Sequence, residues 1–163
     1  MTYRVLMVCT GNICRSPMAE VVLQRAVDEA EVDVAVESAA VSSEEQGNPI
    51  DYRAQKILRR AGYDIPQRQA RQVTTADIVE YDLILAMTEG HHRSLQRLSR
   101  SVPEKDRAEI RLYRTFASDA DRRGGWDLDV PDPWYGGMSD FEETLDILED
   151  ATDNLVAYTA KRV

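Results

Sequence analysis

The sequence is poor in cysteine: Cys9 and Cys14 are the only two in 163 residues. Five positions apart, they form no disulfide framework, which fits a reducing cytoplasm. No apolar run approaches the length of a membrane span. Met1-Thr2-Tyr3-Arg4 passes at once into a strand, so no cleaved leader is expected. Basic charge is short as well, the formal net charge being −9. That balance argues against nucleic acid and anionic membrane surfaces as partners. Repeats and low-complexity tracts are absent. What is left is one domain, residues 1–163, long enough to bury a core without staples.

The informative stretch lies close to the start. Val5-Leu6-Met7-Val8 reads as a buried strand, and Pro17 onward is apolar at helical spacing. Between them runs Cys9-Thr10-Gly11-Asn12-Ile13-Cys14-Arg15-Ser16. Ser16 suits an N-cap and Pro17 a first helical residue, so the helix N-terminus points back at the loop. Free N–H groups and the helix dipole then converge on an anion. Gly11 and Asn12 tolerate positive φ, which lets successive amides curl into a nest. Arg15 adds a planar fork for two phosphate oxygens. In that field a thiol at Cys9 is favoured as thiolate, a nucleophile beneath a bound phosphorus.

Further along, 32–38 alternates as a second strand and 50–61 reads as a helix closed by Gly62. Residues 82–87, apolar from Leu83 onward, read as a central parallel strand, and a fourth strand is expected near 110–113. A last helix is expected from Ser139 to about Lys161. Strands alternating with helices imply an α/β fold of three layers, a four-stranded parallel sheet with helices on both faces. In such sheets ligands bind at the carboxyl ends of the strands, which is where the Cys9 loop lies.

Attack on a phosphate ester expels an alkoxide or phenoxide that needs a proton. The long Gly-, Pro- and Asp-rich stretch 114–138 supplies candidates, since such loops usually carry function. From the residues alone Asp127, Asp129 and Asp132 compete equally. Prolines flanking Asp132 stiffen its backbone, and Trp134 and Tyr135 could pack against a phenyl ring. His91-His92 are adjacent and lack a third ligand nearby, so no metal or other cofactor is expected.

Cys-Thr-Gly-Asn-Ile-Cys-Arg-Ser-Pro-Met-Ala-Glu from Cys9 to Glu20 resembles the phosphate loop of low-molecular-weight protein tyrosine phosphatases. Ala70-Arg71-Gln72-Val73-Thr74, Asp132-Pro133-Trp134-Tyr135-Gly136 and Asp140-Phe141-Glu142 extend the likeness over nearly the whole chain. The resemblance implies strand order 2-1-3-4 and the phosphate loop between strand 1 and helix 1. It also implies hydrolysis of phosphotyrosine through a cysteinyl-phosphate, with Cys9 as nucleophile, Arg15 holding phosphate and Asp132 as general acid and base. Contact residues are then Thr10, Gly11, Asn12, Ile13, Cys14 and Ser16 of the loop, with Trp134, Tyr135 and Glu44 as walls. Ser16 is expected to hydrogen-bond the Cys9 sulfur, and Asn12 to shape the loop more than touch substrate. Phosphotyrosine proteins are the expected partners and a monomer the expected state.

Two departures stand out. Ser38-Ala39-Ala40-Val41 replaces a common Ser-Ala-Gly-Thr, and Glu44 stands where many members carry an entrance Trp, making one wall acidic. Three rivals remain open. Arsenate reduction generally needs thiols beyond the loop. Arginine phosphatases resemble this family with Thr at the place of Ile13. A non-catalytic phosphate-binding module would need neither nucleophile nor acid.

Overall fold

The computed structural model describes residues 1–122 and 128–163. Four strands, β1 (Tyr3–Cys9), β2 (Val34–Ala40), β3 (Leu83–Ala86) and β4 (Glu109–Leu112), form one parallel sheet in the order β2-β1-β3-β4. Between and after them come α1 (Arg15–Glu29), α2 (Tyr52–Arg60), α3 (Thr75–Glu80), α4 (Glu89–Ser99), α5 (Met138–Asp150) and α6 (Thr152–Ala160).

The pleat of β1 explains the three layers. Val5 and Met7 face one core with Met18 and Leu23 of α1, Leu58 of α2, Phe141 and Leu148 of α5, and Leu155 of α6. Leu6 and Val8 face the opposite core, with Ile78 of α3 and Leu95 of α4. Successive strand residues point to opposite faces, so a parallel strand covered on both must be apolar throughout. β1 and β3 are, every residue from Val5 to Val8 and from Leu83 to Ala86 being buried.

Local boundaries differ most from the sequence expectation in three places, and by one or two residues at α2, β3 and β4. β2 begins two residues later than expected and runs on to Ala40, because the Val32 amide is taken up in closing the turn after α1, donating to Val27 O at 2.9 Å. Ala39 and Ala40 stay in the sheet opposite Val8 and Cys9. α1 starts at Arg15, so Ser16 is inside the helix and caps nothing. Pro17 remains within the first turn, where its missing N–H costs no helical bond. The expected final helix is two helices that break at Ala151. There the Thr152 hydroxyl takes the Glu149 carbonyl at 2.7 Å, and the Ala151 amide reaches back to Leu148 at 3.4 Å. Side-chain capture of a helical carbonyl competes with the helix in this way.

The carboxyl ends of β1 and β3 lie side by side, and two loops meet there. One is the turn from Cys9 to Arg15. The other reaches the same edge when the Val130 amide donates to Met87, just past β3, at 2.8 Å. Among the described residues no helix is long and apolar enough to cross a membrane.

Candidate active site

The loop after β1 has nearly all its carbonyls drawn outward. Val41 N–H donates to Cys9 O at 3.0 Å, and Ser42 holds Thr10 O with its amide at 3.2 Å and its hydroxyl at 3.0 Å. Arg68 donates to Asn12 O at 3.0 Å, Asp51 N–H to Ile13 O at 2.9 Å, and Met18 N–H to Cys14 O at 3.1 Å. With the carbonyls occupied, the N–H groups of the loop and of the α1 N-terminus remain for an anion. Of the two residues expected at positive φ, Asn12 is the one found there, at 61°. Gly11 is not at positive φ but sits close under Glu45: a Cβ on it would lie 3.2 Å from Glu45 Cγ.

A cleft of about 330 Å³ opens over this loop, lined by Cys9, Thr10, Gly11, Ile13, Cys14 and Arg15 below and by Glu44, Glu45, Asp132, Trp134 and Tyr135 around it. Two expected contact residues are not among them. Asn12 and Ser16 are fully buried behind the loop, and their side chains are engaged with each other, Asn12 Nδ2 donating to Ser16 Oγ at 2.8 Å. Ser16 Oγ in turn lies 2.9 Å from Cys9 Sγ. Arg68, which the sequence reading passed over, completes the chain. It contacts Asn12 Oδ1 and donates to Ser38 Oγ at 3.2 Å, while Ser38 donates to the half-buried Glu20. Burial lowers the Arg68 pKa and raises that of Glu20.

Arg15 is 5% exposed, yet its guanidinium is spread over three acceptors. It donates to Val130 O at 2.9 Å and to Thr10 Oγ1 at 3.4 Å, and its Nη2 lies 3.5 Å from Asp132 Oδ2. Asp132 Oδ1 accepts the Trp134 amide at 3.0 Å, which fixes the carboxyl over the cleft. Its competitor Asp129 is occupied elsewhere, accepting the Glu89 amide at the start of α4 at 2.8 Å. Asp127 lies outside the described residues.

Two more side chains reach the site from elsewhere in the chain, His91 and Arg53. His91 of α4 is buried with Nε2 2.8 Å from Thr10 Oγ1, and burial together with Arg15 lowers its pKa to about 4. In the sequence the pair His91-His92 lacks a third metal ligand, and no local pattern ties His91 to the loop. Burial, aided by Asp51 and Cys9, pushes the Cys14 thiol up. Arg53 of α2 reaches the Asp132 loop, donating to Trp134 O at 3.1 Å. Trp134 and Tyr135 stand at the lip, 40% and 91% exposed.

Residues 4–163 match the family described as low molecular weight phosphotyrosine protein phosphatase. A low molecular weight protein-tyrosine-phosphatase of Streptomyces coelicolor is 43% identical over 165 residues, covering 100% of this chain and 97% of its own. The crystal structure of a protein tyrosine phosphatase from Entamoeba histolytica, with Hepes in its active site, superposes with a TM-score of 0.87. It is 31% identical and covers 99% of both chains. An arginine phosphatase of Drosophila superposes with a TM-score of 0.85 at 26% identity, over 94% of this chain and 96% of its own. Sheet order, loop and relatives agree: the chain belongs to the low molecular weight phosphotyrosine protein phosphatase family.

Proposed function

We propose that residues 1–163 form one phosphatase domain that hydrolyses phosphotyrosine in proteins through a cysteinyl-phosphate. The observation that carries this reading is that Cys9, Arg15 and Asp132 line one cleft, with Arg15 Nη2 3.5 Å from Asp132 Oδ2. The phosphate dianion sits on the loop amides and takes over the Arg15 guanidinium. Cys9 Sγ attacks phosphorus; the S–P bond forms as the P–O bond breaks, and Asp132 in its acid form gives its proton to the phenol oxygen. Asp132, now a carboxylate, takes a proton from the water that attacks phosphorus, and the S–P bond breaks to release orthophosphate. Fixed donors around the phosphate oxygens supply the largest share of such stabilisation. The Ser16 hydroxyl beside Cys9 Sγ supports negative charge on sulfur both before attack and as it leaves.

Ile13 gives the cleft an apolar wall that suits a phenyl ring better than a phosphorylated guanidinium, which favours phosphotyrosine over phosphoarginine. One copy carries every group named, so a monomer suffices. Cys9 must stay reduced to attack phosphorus, which suits the cytoplasm. Replacing Asp132 with Asn tests the assignment. Turnover of unactivated aryl phosphates should fall roughly 10²–10⁴-fold, and the loss should shrink when the phenoxide leaves unaided. A near-normal Asp132→Asn alongside a crippled Asp129→Asn would mean the wrong carboxylate was assigned.

A further inference from the structure

Arg53 sits between two pieces of the site that are far apart in sequence. Its backbone amide and Nε donate to Asp51 Oδ1 at 2.8 and 3.1 Å, and its Nη2 to Asp51 Oδ2 at 3.2 Å. Asp51 in turn holds the phosphate loop, its amide donating to Ile13 O at 2.9 Å. From the other side of the same guanidinium, Nη1 donates to Trp134 O at 3.1 Å and Gly136 O at 3.4 Å. Its plane lies against the rings of Trp134 and Phe141, 5.1 and 4.6 Å from their centroids. The turn it grips runs from Pro133 to Gly136, closed by Gly136 N–H to Pro133 O at 3.0 Å, and begins one residue after Asp132. The Trp134 amide, next to a carbonyl that Arg53 holds, is the group that fixes Asp132 Oδ1.

We propose that Arg53 is a positioning residue that sets Asp132 at the height over Cys9 needed for proton transfer to the leaving group. The inference rests on Asp132 being the general acid. Only a guanidinium fits the place: one planar group must donate in two opposed directions and present a face to two rings. An ammonium offers neither the fork nor the face, so Lys cannot substitute. The Arg53 side chain is 19% exposed and does not line the cleft, so it acts through the turn and not on the phosphate.

The experiment compares kcat/KM of wild type, Arg53→Lys and Arg53→Met on phenyl phosphate and on 2,4-dinitrophenyl phosphate, each also in the Asp132→Asn background. Thermal unfolding of each variant and inhibition by inorganic phosphate are measured alongside. Misplacing a reacting group by about 1 Å can cost on the order of 10²-fold. Phenyl phosphate hydrolysis should therefore fall roughly tenfold to 10²-fold in both variants. The dinitrophenyl ester and phosphate inhibition should change by less than about twofold, because that phenoxide needs no proton. In the Asp132→Asn background the same substitutions should cost nothing further. Equal losses on both esters, or a loss that persists without Asp132, would overturn the positioning role and leave the assignment of Asp132 standing. If Asp132→Asn itself shows no dependence on the leaving group, the acid assignment falls and this inference with it.

Discussion

His91 ties the stability of the fold to pH through a residue at the edge of the site. Its imidazole is 6% exposed, and Nδ1 has no hydrogen-bond partner among the described residues. Nε2 meets Thr10 Oγ1, which also receives Arg15. Adding a proton there charges a buried ring beside a guanidinium, so the folded protein holds His91 neutral down to about 4, against an ordinary value of 6.5. Asp132 pulls the other way but less strongly. In the unfolded chain His91 takes up its proton near 6.5. Between those values the unfolded state binds a proton that the folded state refuses, so stability falls as the pH drops through this window. From pH 7 to pH 5 the loss amounts to about 2 kcal/mol, or about 4–8 °C in Tm for a domain of this size. Other groups titrate in the same range, but His91→Gln leaves them in place. The stability gap between wild type and His91→Gln, measured by chemical denaturation, should shift by about 2 kcal/mol against wild type over that interval. An NMR titration of His91 should show no inflection above pH 5. A gap that stays constant with pH, or a His91 signal that titrates near 6.5, would refute the reasoning.

The acidic wall should be felt in substrate choice. Glu44 and Glu45 line the cleft, so peptides with Lys or Arg beside phosphotyrosine should have higher kcat/KM than acidic ones, by at most about fivefold. The preference should shrink with salt and in Glu44→Trp, which should turn over small aryl phosphates faster; a flat profile in both proteins would show Glu44 to be silent. Cys14 shares the cleft with Cys9 and should form a reversible disulfide with it after brief peroxide exposure. Activity recovered by a thiol reductant should then be greater in wild type than in Cys14→Ser, and equal recovery would exclude the protective role.

What was legible in the sequence was contiguous. The anion loop is a single run from Cys9 to Ser16, and its chemistry follows from residue types held at fixed spacing. The parallel sheet followed from apolar strands such as Leu83–Ala86, which only burial on both faces explains. The groups that support the loop were not legible, because they arrive from distant elements. Arg68 meets Asn12 across 56 positions, and both His91 with Thr10 and Arg53 with Trp134 across 81. In sequence Arg53 is one more charge on an exposed helix, and no local pattern marks it. Ser16 reads in the sequence both as a cap and as a partner of the Cys9 sulfur; the structure keeps the second, at 2.9 Å, because α1 already begins at Arg15. Arg71 in the middle match proved to be a structural residue, paired with Asp77 at 2.9 Å while its carbonyl accepts the amide at the end of β2.

In the proposed mechanism the phosphoryl group passes through Cys9. Rapid acid quench of the enzyme during turnover of an activated aryl phosphate, followed by peptide mass analysis, tests it most directly. One phosphoryl group should appear on the peptide containing Cys9, accumulating in Asp132→Asn with a good leaving group because hydrolysis of the intermediate has lost its base. Cys9→Ser should show neither the adduct nor turnover. Full turnover in Cys9→Ser, or a phosphoryl group found on any other residue, would contradict it.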